Sequence, residues 1–169
     1  MRDHRVGVRR GIGVATAAVG LLVGAGAATA GGHTSYHGVF HETAAGAGLG
    51  YDIHGSAKMT SGQAGTVVKI NVSGLDPATT YGSHLHNGTC ASGGGGHYQD
   101  TVGGAVVPPN ELWLANSGMT LRSNPGGVAH ATGFATWTAR TSAPTASTNA
   151  RSVVVHAPGG ARIACVDLD

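Results

Sequence analysis

Between Gly65 and Gly74 the chain alternates: Val68, Ile70 and Val72 fall on one side, Lys69 and Asn71 on the other. Successive side chains of an extended backbone leave opposite faces, so Thr66 to Val72 reads as a strand with one buried and one wet face. Gly74-Leu75-Asp76-Pro77 then ends it with a turn. Beyond residue 30 no stretch shows the 3.6-residue apolar period of a helix. The shorter patterns agree. Tyr51, Ile53 and Gly55 alternate with Asp52, His54 and Ser56, leaving His54 solvated. Asn110 to Leu114 suggests a short strand, and Gly127 to Ala139 a longer one with Val128, His130 and Phe134 on one face and Trp137 on the other; there His130 is expected packed and hydrogen-bonded. Arg151 to His156 and Ile163 to Leu168 are β-branched or apolar runs, separated from what precedes by a polar connection over Thr141 to Asn149. With 30 glycines available for turns, six to eight short strands predict an all-β, antiparallel sandwich or flattened barrel.

The first thirty residues read differently. Arg2, Arg5, Arg9 and Arg10 precede an uncharged run from Gly11 to Ala27, and Ala28-Thr29-Ala30 offers a small-x-small cleavage site, so 1–30 is expected to be an export signal. The run is diluted by glycine and alanine below what a membrane span needs, so no anchor is expected after cleavage. Residues 31–50 show no clear period and are expected to form a flexible, histidine-containing arm, with the folded domain spanning 51–169. Four of the ten basic residues and one of the eight acidic ones lie in 1–30, which leaves six against seven, a formal charge of −1. No lysine or arginine stripe remains, which argues against a nucleic-acid partner. In an exported chain the two cysteines, Cys90 and Cys165, are most simply paired with each other, a link that would contribute about 4–5 kcal/mol in the chain-entropy account.

His84 and His86 stand two apart in Tyr81-Gly82-Ser83-His84-Leu85-His86-Asn87-Gly88-Thr89-Cys90. In an extended segment they share a face about 7 Å apart, so their ring nitrogens can converge on one ion of the kind imidazole suits, copper or zinc. A glycine-rich loop then delivers a third histidine, His97.

In this setting four segments in order, Gly82-Ser83-His84-Leu85-His86 with Cys90, Gly96-His97, Val153-Val154-Val155-His156, and Gly160-Ala161-Arg162-Ile163-Ala164-Cys165, resemble the copper, zinc superoxide dismutases, and among them the secreted relatives that keep copper and lack zinc. The resemblance runs from about Tyr51 to Asp169 and implies an eight-stranded Greek-key sandwich. It implies copper held by His84, His86 and His156, with His97 in the place of the histidine that bridges copper and zinc, and Arg162 as the guide for the superoxide anion. No histidine follows His97 before Trp113, so the zinc site would lack two imidazoles, and Asp100 or Glu111 is left to hydrogen-bond the outer nitrogen of His97. Only Ala157 to Ala161 separate His156 from Arg162 where the family has a long charged loop, which implies an open copper.

Other readings share parts of this pattern. A non-catalytic secreted copper-binding protein needs the ligands but not Arg162, and a chordin-type β-domain accounts for His84 to Gly88 but not for Arg162 to Cys165. Cleavage after Ala30 would also expose Gly31-Gly32-His33, whose amine, two amides and imidazole can wrap copper(II) in a plane, with His37 and His41 following at four-residue steps.

Overall fold

The computed structural model describes residues 32–142 and 148–169, so the export segment, Gly31 and most of the Thr141–Asn149 connection lie outside the described residues. Among the described residues nine strands form two antiparallel sheets. The first holds, in order, β1 (His33–Val39), β3 (His54–Gly62), β4 (Gly65–Ser73) and β7 (Ala129–Ala135). The second holds β2 (His41–Glu42), β9 (Arg162–Asp167), β8 (Ser152–His156), β5 (Thr80–His86) and β6 (Leu121–Arg122). The chain crosses from one sheet to the other after β1, β2, β4, β6 and β7, giving a sandwich and no closed barrel. Met59, Val68 and Val72 from one sheet meet Leu85, Val153, Val155 and Ile163 from the other, all fully buried. The alternation over Thr66 to Val72 is β4 as expected, with Lys69 and Asn71 exposed.

The expected flexible arm is not what 32–50 forms. His33 to Val39 pair residue for residue with Gly62 to Ser56 of β3, and His41–Glu42 pair with Cys165 and Ala164 of β9. The segment hides its period because its inward positions are small or weakly apolar: Gly38 lies so close to β9 that a Cβ would sit 1.9 Å from the Asp167 carbonyl oxygen. The far edge of β1 is also paired, since His37 N–H donates to the Asp169 carbonyl (3.0 Å) and Asp169 N–H to that of His37 (3.3 Å). A five-residue helix, α1 (Ala44–Gly48), follows, capped by the Thr43 hydroxyl, which accepts from Gly46 N–H and donates to the Arg162 carbonyl (2.6 Å). No helix among the described residues is long and apolar enough to cross a membrane.

Two further expectations are corrected. His130 and Phe134 lie on the solvent face of β7, with Phe134 62% exposed, and Ala129, Ala131, Gly133 and Ala135 face inward. Bulk was the misleading cue: the segment from Glu111 to Leu114 crosses so close that a Cβ on Gly133 would meet Leu112 Cδ2 at 2.4 Å, so only small residues fit beneath it. That segment is itself no strand but two isolated bridges, Gln99 with Glu111 and His84 with Trp113, its Leu112 and Leu114 buried. His54 is exposed as expected, 3.0 Å from Asp52.

Candidate metal centre

β5 presents Tyr81, Ser83 and Leu85 to the core and Gly82, His84 and His86 to the opposite face. β8 is its neighbour, and the register sets His156 opposite Gly82, whose missing side chain leaves room for the imidazoles; a Cβ there would come 3.3 Å from His84 Cε1. His97 arrives from the loop through a bridge to His86, fixed on one side by Asn87 N–H to the Gly96 carbonyl (3.0 Å) and on the other by Tyr98 N–H to the Leu85 carbonyl (2.8 Å). The result is a single group of four: one ring nitrogen from each of His84, His86, His97 and His156 lies within 4.8 Å of every other.

This group could hold a metal ion. Metal–nitrogen bonds of about 2 Å place opposing donors about 4 Å apart, so slight ring movement would close the set around an ion. His86 Nε2 and His156 Nε2 are already 3.3 Å apart. The buried Nδ1 atoms of His84 and His86 have no hydrogen-bond partner, an expensive arrangement unless some of these lone pairs serve a ligand. Burial, reinforced by the charges of His97 and His156, lowers the pKa of His84 and of His86 to about 3, and burial also lowers that of His156. Near neutral pH these rings are therefore uncharged, the form that donates to a metal.

Glu111 holds His97 from behind. Its buried carboxylate accepts from His97 Nδ1 (2.7 Å), Trp113 Nε1 (2.9 Å) and Gln99 Nε2 (3.2 Å), turning His97 Nε2 toward the other imidazoles. Asp100, the other carboxylate considered, is 3.5 Å from the Arg140 guanidinium. Trp113 also touches His84 edge-on, with ring centroids 4.9 Å apart, a contact the sequence signalled only through the shared face of residues 111 and 113.

The loop after β5 roofs His86 completely. Gly94, at φ +82°, sits where a Cβ would be 2.7 Å from Val154 Cγ2 and 3.5 Å from His86 Nδ1, so glycine is required twice over. The loop is tied to β9 by the Cys90–Cys165 disulfide and by Cys90 N–H donating to Asp167 Oδ1 (2.8 Å). Arg162, the first residue of β9, donates from Nη1 to the Gly93 carbonyl of the same loop. On the open side, His84, His97 and His156 face a cleft of about 390 Å³ walled by Tyr81, Trp113, Met119 and Pro158. Of the amino-terminal copper motif, His33 is exposed on β1 opposite Gly62, and His41 faces Cys165 in register, so these histidines belong to the sheets.

Comparison with protein-family models and with curated proteins returns no match for this chain.

Proposed function

We propose that the chain is a copper-dependent superoxide dismutase that works outside the cytoplasm. One juxtaposition carries the reading: four converging imidazoles beside an arginine that a disulfide-tethered loop anchors. An all-nitrogen donor set suits copper in both of its common oxidation states, and copper held there would supply one-electron exchange with superoxide. Glu111 occupies the outer nitrogen of His97, where a zinc ion would otherwise bind, so copper alone is the metal of this reading. The disulfide fits a chain folded in an oxidising compartment.

The side chains do the rest. Arg162 is exposed, and its bond to the Gly93 carbonyl fixes the guanidinium while leaving other N–H donors for an anion. It draws superoxide by charge and holds it by paired donors. His97 is hydrogen-bonded at Nδ1 to Glu111, so its Nε2 would either hold the metal or, when released from it, take up a proton and pass it to the reduced oxygen species. Two superoxide anions and two protons yield one oxygen and one hydrogen peroxide. The open cleft admits water as the source of the second proton.

Reconstitution with copper and zinc together, followed by metal analysis and direct measurement of superoxide decay, tests this. The expected outcome is copper without stoichiometric zinc and rapid decay. Arg162→Glu should slow decay by at least about tenfold and reverse its dependence on ionic strength. Copper bound with no decay would identify a copper-binding protein without catalysis, and a zinc ion lost on His97→Ala would overturn copper as the only metal.

A further inference from the structure

A second cavity, of about 370 Å³, lies across the Ser117–Thr120 turn from the metal cleft. Met119 and Thr120 face the cleft, whereas Ser117 and Arg122 face this pocket, with His130 of β7 as its far wall. No aspartate or glutamate lines it. The frame is fixed by hydrogen bonds. Asn116 donates from Nδ2 to the carbonyls of Arg122 (2.9 Å) and His130 (3.0 Å) and accepts from Arg122 N–H (2.7 Å), clamping β6 to β7. Buried Ser123 donates to the Asp76 carbonyl (2.5 Å) and accepts from Thr79 N–H (2.9 Å). Asn124 Oδ1 accepts from Gly126 and Val128 N–H, which fixes the amide with its Nδ2 uncommitted.

What remains without a partner among the described residues is a set of donors: the Arg122 guanidinium, a His130 ring nitrogen, the Ser117 hydroxyl and Asn124 Nδ2. We propose that this pocket binds an oxyanion of the phosphate type, with Arg122 as its principal ligand. The charge is complementary, the forked guanidinium matches paired oxygens, and the Asn124 amide is already oriented by its bonds to Gly126 and Val128. Arg122 also stands opposite Thr80 in register, on the face of β5 that carries His84 four residues further on, so an anion here sits beside the approach to the metal. The assignment needs no metal.

The test is calorimetric titration of the full chain, metal-loaded and metal-free, with inorganic phosphate and with diethyl phosphate at constant ionic strength. Binding in the millimolar range is expected in both forms. Arg122→Gln should weaken it at least tenfold, Arg122→Lys less, and Arg162→Gln should leave binding to the metal-free chain unchanged. Preference for phosphate assigns a free ion, and preference for the diester assigns phosphate carried on a polymer. No heat with either probe, wild-type binding by Arg122→Gln, or loss confined to Arg162→Gln would overturn the proposal; thermal melting of each variant shows whether it is folded.

Discussion

Glu111 is the residue on which the candidate metal centre leans most. Replacing it with alanine removes the shared acceptor of three partly buried donors, on His97, Trp113 and Gln99. Losing such a support typically weakens metal binding by 10–100-fold, and each buried donor left unpaired costs about 1–3 kcal/mol. Competition titration with a copper chelator should show that loss for Glu111→Ala. Asp100→Ala should bind copper like the parent chain, because its carboxylate sits near Arg140. The sequence reached both carboxylates without choosing between them. The choice depends on the bridge that sets Gln99 opposite Glu111, a long-range pairing with no local signal.

Among the elements, β7 separates what the sequence made legible from what it did not. Its existence and period were plain, yet its orientation was inverted, because phenylalanine normally faces a core and alanine and glycine do not declare a side. The crossing segment decides it. Gly133→Ala would press Leu112 Cδ2 and the Trp113 carbonyl, at 2.4 and 2.7 Å, and displace the segment that presents Glu111. Overpacking of this kind costs about 1–3 kcal/mol, and copper affinity should fall with it, whereas Phe134→Ser on the exposed face should change stability by no more than about 0.5 kcal/mol. Urea denaturation of the two variants checks both. The β4 alternation and the His84–His86 pair, by contrast, were readable because a strand's period of two needs no distant partner to be seen. β1 was missed for the opposite reason: its inward face is built from Tyr36 and Gly38, and its place depends on β3 and the chain's last residues.

At the scale of the whole molecule, the disulfide joins the roof over His86 to the strand that begins with Arg162. Cys90→Ser with Cys165→Ser should lower unfolding stability by about 2–5 kcal/mol. The four imidazoles have other supports, so copper content should survive while superoxide decay slows, and the unreduced parent, unfolded, should titrate no free thiol. β5 has a further consequence for how such a chain can vary. Its odd positions are core and its even positions carry the paired imidazoles, so deleting Gly82 or Ser83 would put Leu85 in the place of His84 and turn His86 into the hydrophobic interior. The turn over 157–160 is held differently: Gly159 and Gly160 sit at φ +92° and +93°, where glycine is favoured, and the Gly160 carbonyl accepts from His156 Nδ1 (3.2 Å). Across evolutionary time, changes of length should therefore be purged from β5, which serves as a fixed-length ruler for the spacing of the two imidazoles.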